Sequence, residues 1–129
     1  MSNQDNAFCI EDFKVTEVLD YYDFPRLFSL IDTYGNYWLG INIAETETED
    51  WYLYCRLSHE NMSDLLNDRL PVRDCIFSAD KFLLVKDIFE REIKTVSPLE
   101  REGIQDEWLP KPGIFLKKAD YFPICPLKI

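Results

Sequence analysis

Two cysteines and the single histidine are the residues whose chemistry could support covalent catalysis. His59 follows Cys55 by four positions, and Cys75 comes later in the chain. A thiol–imidazole pair is a working nucleophile only when the thiolate is accessible and the imidazole lies within hydrogen-bond reach. Cys55 falls in strand-like sequence, whereas His59 follows a helix-capping serine, so the spacing does not establish that geometry. A small cysteine-dependent hydrolase or transferase, using Cys55 or Cys75 with His59, is therefore an alternative to a protein that is not an enzyme.

The sequence carries none of the common cofactor or metal motifs. It has only four glycines and contains no Gly-rich phosphate loop, nucleophile elbow or zinc-protease motif. The four cysteines lie far apart and include no C-x-x-C pair; they are Cys9, Cys55, Cys75 and Cys125. We therefore expect buried free thiols, no zinc site and no cofactor.

The chain is strongly acidic, with 14 Lys and Arg against 24 Asp and Glu and a net charge of −10. Residues 1–59 hold eleven of the acidic side chains and only three basic ones. Such a field repels nucleic-acid phosphates and acidic membrane surfaces, and it attracts a basic protein partner. The alternative is that the charge only keeps the protein soluble.

Short strands joined by turns account for most of the chain. Alternating or continuous apolar residues predict strands over 13–20, 26–32, 37–43, 51–57 and 81–87. Residues 88–96 extend the last strand or pair back onto it. Gly35 can take a positive φ, which predicts a β-hairpin between the second and third strands. The acidic stretch 45–50 is expected to be a solvated, mobile connector.

Helical signals are few and short. Ser58 is a good N-cap, and Met62, Leu65 and Leu66 form one apolar stripe of a helix that ends near Arg69. Residues 70–74, with Pro71, predict a second helical turn. Ser97-Pro98-Leu99-Glu100 matches a capping box and predicts a helix over 98–104.

Together these signals predict one α+β domain over residues 1–129. Its fold is a bent antiparallel sheet of about five or six strands, with one or two short helices on one face. Residues 1–10 are expected to be frayed, and 106–129 to form a loop-rich tail with one strand at 114–118. Because no secretory signal or membrane-spanning run is visible, we expect a cytoplasmic protein with no membrane contact.

Ten of the nineteen aromatic residues lie between residues 21 and 54. Because Leu39, Ile41, Leu53 and Leu57 supply one apolar face, Trp38, Tyr52 and Tyr54 should occupy the opposite one. Exposed Tyr and Trp beside acidic residues are typical of interface anchors. If another part of the chain covers them, the same residues form a second core layer, and both interpretations stay open here.

Four segments together resemble a small uncharacterised bacterial domain family. They are DFPRLF at 23–28, GNYWL at 35–39, WYLY at 51–54 and LPVRD at 70–74. The resemblance covers roughly residues 15–90, with Val72 as a small departure from the family's pattern. It implies no activity or catalytic residue.

These observations favour a non-enzymatic acidic module that binds a basic protein, such as an immunity, antitoxin-like, inhibitor or phage-defence component. The candidate partner contacts are acidic and aromatic; they are Trp38, Trp51, Tyr52, Tyr54, Glu45, Glu47, Glu49 and Asp50. A DNA-mimicking inhibitor would be a sharper variant, with two rows of carboxylates at phosphate-like spacing. A structural subunit of a larger assembly is a further alternative.

Overall fold

Six antiparallel strands, hydrogen-bonded in chain order, form an open sheet. The computed structural model describes residues 9–22, 24–90 and 93–116. The strands are β1 (Phe13–Tyr22), β2 (Phe24–Asp32), β3 (Tyr37–Glu45), β4 (Glu49–Leu57), β5 (Lys81–Ile88) and β6 (Ile93–Leu99). The prediction of an α+β fold with an antiparallel sheet of about five or six strands is confirmed. Of residues 88–96, those from 93 onward pair back onto the preceding strand.

Both helices are inserted between β4 and β5. They are α1 (His59–Leu66) and α2 (Val72–Phe77). The Ser58 side chain accepts a hydrogen bond from the Asn61 backbone N–H at 3.0 Å, as a good N-cap should. Pro71 stands immediately before α2 in the extended conformation. Helix α1 ends three residues earlier than Arg69, because the chain turns at Asp68 with a φ of 58°.

The β2–β3 hairpin forms where the turn signal predicts it. Gly35 adopts a φ of 86°, a conformation that suits glycine. Its N–H donates to the Asp32 carbonyl at 3.0 Å, and the Asp32 N–H donates to the Asn36 carbonyl at 3.1 Å. The hairpin sets the register that places Leu30 opposite Trp38.

The acidic connector at 45–50 is shorter than expected, and that prediction is wrong. Glu45 ends β3 and Glu49 begins β4, so only residues 46–48 lie between the strands. The Thr46 hydroxyl oxygen accepts the backbone N–H groups of Thr48 at 3.2 Å and of Glu49 at 2.9 Å. These hydrogen bonds close a tight turn in spite of the like charges around it.

Two predictions for the C-terminal third are also wrong. The expected helix at 98–104 is instead the end of β6 followed by a short 3₁₀ turn, Arg101–Gly103. Pairing with β5 outweighs the capping signal, and Pro98 is tolerated because β6 is an edge strand. Residues 114–116 form no strand, and 117–118 lie outside the described residues. Instead, the Ile114 carbonyl accepts the Val72 N–H at 2.9 Å.

The start of the described chain is more ordered than the expected frayed segment. Residues 9 and 10 are described, and a 3₁₀ turn runs over Ile10–Asp12. The Asp12 carboxylate accepts the Cys9 backbone N–H at 2.8 Å. The other residues of the predicted frayed segment, 1–8, lie outside the described residues.

In the part of the chain that the structure describes, the buried side chains form two apolar clusters. The first, here the helix layer, combines strand residues with residues of α1, α2 and the C-terminal segment. Its members are Leu19, Leu27, Leu39, Ile41, Leu53, Cys55, Leu57, Met62, Leu65, Val72, Cys75, Ile76, Ala79, Phe82, Leu109 and Leu116. The second, here the aromatic layer, comes from the alternate strand positions; its members are Phe28, Leu30, Trp38, Tyr54, Leu83 and Val85.

The sheet is curled toward the aromatic layer. In a flat sheet β1 and β4 would stand about 14 Å apart, because neighbouring strands are about 4.8 Å apart. Yet the Phe13 ring of β1 lies edge-on to Tyr54 of β4, with centroids 5.2 Å apart, and to Trp38 of β3, at 5.1 Å. Register shifts between residues 15 and 21 of β1 allow this bend. Phe13 and Ile10 therefore cover one end of the aromatic layer.

Candidate functional site

Trp38 is a core residue and cannot anchor a partner. Its side chain is completely buried in the aromatic layer, and its Nε1–H donates to Asp32 Oδ2 at 2.8 Å. Asp32 is also buried and accepts the backbone N–H groups of Tyr34 at 2.8 Å and Asn36 at 3.0 Å. Burial by itself would raise the pKa of Asp32, but the hydrogen bonds from Trp38, Asn36 and Tyr34 outweigh it and hold the pKa below its usual value.

Tyr54 is likewise part of this layer, so the prediction that it is an exposed aromatic anchor is wrong as well. Its ring packs edge-on against Phe13 and Phe28, and burial, with a contribution from Tyr52, raises the pKa of its hydroxyl. Phe28 fits here because Gly40 has no side chain: a Cβ on Gly40 would lie 2.4 Å from the Phe28 ring. For Trp38 and Tyr54, the second core layer is therefore the correct interpretation.

Trp51 and Tyr52 remain half-exposed. They point to opposite faces of β4, because neighbouring strand residues alternate. The Trp51 Nε1–H donates to Glu49 Oε1 at 2.8 Å, and the Lys86 ammonium lies 4.3 Å from the ring centroid of Trp51. Trp51 is thus held by Glu49 of its own strand and by Lys86 of the neighbouring strand β5. Tyr52 instead lies at the border of the aromatic layer.

Cys55 and Cys75, the two cysteines considered as nucleophiles with His59, are enclosed in the helix layer. Cys55 and Cys75 are completely buried free thiols, and burial raises the pKa of both, that of Cys75 to about 12. A thiol with such a pKa carries almost no thiolate at neutral pH. His59 is exposed at the start of α1, and its ring packs against Tyr37 at 5.2 Å. The expectation of buried free thiols is confirmed for Cys55 and Cys75; Cys9 is exposed, and Cys125 lies outside the described residues.

A row of three carboxylates crosses the sheet at the end marked by the β3–β4 turn. Glu45 of β3 is the register partner of Asp50 of β4, and Asp50 is the partner of Asp87 of β5. Directly opposite residues share a face and have Cα atoms about 4.5–5.5 Å apart. Lys94 of β6 is the next partner in the row and is its one basic member. We call Glu45, Asp50 and Asp87 the carboxylate row.

The two turns at this end of the sheet are joined to each other. The Phe89 backbone N–H donates to the Thr48 carbonyl at 3.0 Å, which ties the β5–β6 turn to the β3–β4 turn. Glu47 and Glu90 are exposed in these turns, and the Phe89 side chain is 42% exposed. Two exposed carboxylates and one exposed aromatic side chain therefore lie in two turns that are hydrogen-bonded to each other.

An apolar cleft of about 250 Å³ opens beside the carboxylate row. Its lining is mostly apolar and comes from β1, β2, β4, β5 and β6; the residues are Val15, Phe28, Tyr52, Tyr54, Val85, Asp87 and Lys94. Asp87 belongs to both the cleft and the row. Phe28, Tyr54 and Val85 belong to the aromatic layer, so the cleft is the part of that layer left uncovered where the sheet curls.

The structure thus brings together some of the predicted contacts and adds others. Glu45, Glu47, Glu49, Asp50, Trp51 and Tyr52 lie at one end of the sheet, as their closeness in sequence requires. Val15, Asp87, Phe89 and Lys94 were not predicted to join them. Only the pairing register of β5 could have identified Asp87 and Lys94, because they lie far from residues 45–52 in sequence.

No group of three or more His, Cys, Asp or Glu side chains in the described residues is arranged to hold a metal ion. Within the same residues, both helices are too short to cross a membrane.

One comparison with known proteins gives a match. A protein-family model described as a family of unknown function (DUF6575) matches residues 6–124. The chain belongs to this family. The family has no assigned activity, which agrees with the resemblance to a small uncharacterised domain. No curated protein and no solved structure gives a significant match.

Proposed function

We propose that this member of the family is a non-enzymatic cytoplasmic binding module that docks a basic protein through the carboxylate row. The observation that carries the proposal is the register Glu45–Asp50–Asp87. This register brings carboxylates from three neighbouring strands onto one face of the sheet, where they outnumber the one lysine, Lys94, that continues the row. Such a concentration of negative charge attracts a basic partner surface.

The position of the row supports the same function. Among the described residues, no residue of α1 or α2 belongs to the aromatic layer, which shares its face of the sheet with the row. Glu47 and Glu90 extend the negative charge to the adjoining turns, and Phe89 adds exposed apolar surface. Complementary charge would speed the encounter with a basic partner, while an aromatic side chain would supply contact energy. Roles in immunity, antitoxin action, inhibition or phage defence are all compatible with such a surface.

The cysteine-dependent enzyme is the weaker proposal. It requires an accessible thiolate near His59, whereas Cys55 and Cys75 are buried with raised pKa values. The DNA-mimicking variant is also less well supported, because the described residues give one row of carboxylates across the sheet rather than two.

The experiment is a pull-down with two variants of equal charge. One variant neutralises the row by Glu45→Gln, Asp50→Asn and Asp87→Asn. The matched control neutralises three exposed carboxylates of the segment after β6, by Glu100→Gln, Glu102→Gln and Glu107→Gln. Proteins retained from a lysate of the native host are identified, and each is then purified and titrated against the parent and both variants.

The proposal requires a basic protein that binds the parent and the control equally and binds the row variant at least tenfold more weakly. Its binding to the parent should also weaken as salt rises from 50 to 300 mM, since salt screens exposed charges. Equal weakening in both variants would show that net charge alone drives association. A retained partner with no basic surface would also contradict the proposal.

A further inference from the structure

We infer that the cleft beside the carboxylate row is an anchor pocket that receives one large apolar side chain of the basic partner, flanked by lysine or arginine. This inference rests on the proposed function and names the chemistry that the partner must present. The observation behind the inference is that Asp87 belongs both to the carboxylate row and to the lining of the apolar cleft.

The size and lining of the cleft suit a side chain better than a free metabolite. Its volume of about 250 Å³ is below the range of about 300–1,000 Å³ that is typical of small-molecule sites. Rings and branched aliphatic groups from Phe28, Tyr52 and Val85 form much of its wall. Interface anchors are most often single aromatic side chains that fill pockets of this kind.

The charges at the rim select the residues on either side of that anchor. Glu45, Asp50 and Asp87 share one face of the sheet with Tyr52 and Tyr54, because register partners and alternate strand positions point the same way. A ring in the cleft would therefore place the neighbouring residues of the partner beside the row. Lys94 also lines the cleft opposite Asp87, but the three carboxylates outnumber it. Basic residues of the partner there gain attraction, while acidic ones are repelled.

The exposure of Val15, which lines the cleft, indicates that the cleft opens to solvent on this side. Val15 of β1 is 51% exposed although it is large and apolar. It is the register partner of Leu30, which is buried in the aromatic layer. A ring seated between Val15 and Val85 would complete the cover that Phe13 and Ile10 provide at the other end of that layer.

The test uses two fluorescein-labelled peptides, KRKWKRK and KRKAKRK, titrated by fluorescence anisotropy in 50 mM salt. They carry the same charge and differ only in the central side chain. We expect the tryptophan peptide to bind the parent at least tenfold more tightly, since burying such a side chain contributes about that much or more.

Two variants change the cleft and one serves as the matched control. Val15→Gln makes the exposed wall polar, and Tyr52→Ala removes part of the lining. Tyr34→Gln changes a side chain that is 78% exposed in the β2–β3 turn, at the other end of the sheet. The ratio of the Kd of KRKAKRK to the Kd of KRKWKRK should fall to threefold or less in both cleft variants, while the Kd of KRKAKRK stays unchanged. In the control variant this ratio should stay at tenfold or more.

The outcomes separate this inference from the proposed function. If the parent binds both peptides equally, and the row variant binds both more weakly than the Glu100, Glu102 and Glu107 control does, the anchor pocket is wrong and the basic-partner proposal stands. If neither peptide binds, or if both triple variants weaken binding equally, the anchor pocket and the basic-partner proposal are both wrong. A tryptophan preference that survives Val15→Gln and Tyr52→Ala would place the ring elsewhere and would also overturn the inference.

Discussion

The helix layer and the aromatic layer lie among the same strands but are completed to different degrees. The helix layer gathers residues of α1, α2 and the C-terminal segment over its strand residues, and it includes two buried thiols. Among the described residues, Ile10, Phe13, Tyr52 and Val96 pack against the aromatic layer, which opens into the cleft next to the carboxylate row. Within the described residues, more elements therefore contribute to the helix layer, and the aromatic layer opens beside a concentration of negative charge.

The largest effect is expected from Trp38→Ala, which tests whether the aromatic layer is a true core. Removing a fully buried tryptophan leaves a cavity and takes one hydrogen-bond donor from Asp32. We expect a loss of about 3–5 kcal/mol in the free energy of unfolding, measured by urea denaturation.

Tyr34→Ala is the control for this substitution, because its side chain is exposed in the adjoining turn. It should change the unfolding free energy by no more than about 0.5 kcal/mol. If Trp38→Ala were as mild as the control, the aromatic layer would not be a core, and Trp38 would again be available to a partner.

The helix layer is tested by the reactivity of its thiols. Cys55 and Cys75 should be alkylated by iodoacetamide at pH 8 at least a thousand times more slowly than Cys9, which is exposed. The reason is that burial excludes the reagent and raises the pKa of both thiols, so little thiolate forms. Peptide mapping by mass spectrometry measures each site separately. Rapid labelling of Cys55 or Cys75 in the folded protein would revive the cysteine-dependent alternative.

The sequence predicts the elements well where the signal is local. Gly35 identifies the β2–β3 hairpin, and Ser58 identifies the start of α1. The apolar alternation of residues 37–57 correctly assigns side chains to the two layers. Prediction from the sequence fails where strand pairing between residues far apart in the chain overrides a local signal. The capping box at Ser97 is lost to pairing with β5, and the charged stretch at 45–50 is drawn into strands. The burial of Trp38 and Tyr54 could not be predicted, because it depends on the bend in β1 that brings the Phe13 ring against them.

Asp32→Asn should have an intermediate effect, concentrated at one edge of the aromatic layer. The carboxylate accepts hydrogen bonds from the side chains and backbone of three residues, and an amide accepts them less well. We expect a loss of about 1–3 kcal/mol at pH 7.

The same substitution should also flatten the acid dependence of stability. The pKa of Asp32 is lower in the folded than in the unfolded protein, so its stabilisation is complete above the unfolded value of about 4. It is lost as the pH falls through the folded value. The parent should therefore lose more unfolding free energy between pH 5 and pH 2.5 than Asp32→Asn does. Parallel curves for the two proteins would show that this carboxylate is not stabilised by folding.

The smallest effect is expected at the carboxylate row, and its sign is opposite to the others. Asp50 lies between Glu45 and Asp87, so Asp50→Asn should raise the unfolding free energy by about 0.2–0.5 kcal/mol in low salt. The gain should disappear in 1 M salt, where the screening length is about 3 Å. Glu107→Gln, which removes an exposed carboxylate far along the chain, is the control and should produce no gain. A loss of stability in Asp50→Asn would contradict this prediction and would mean that the row stabilises the sheet.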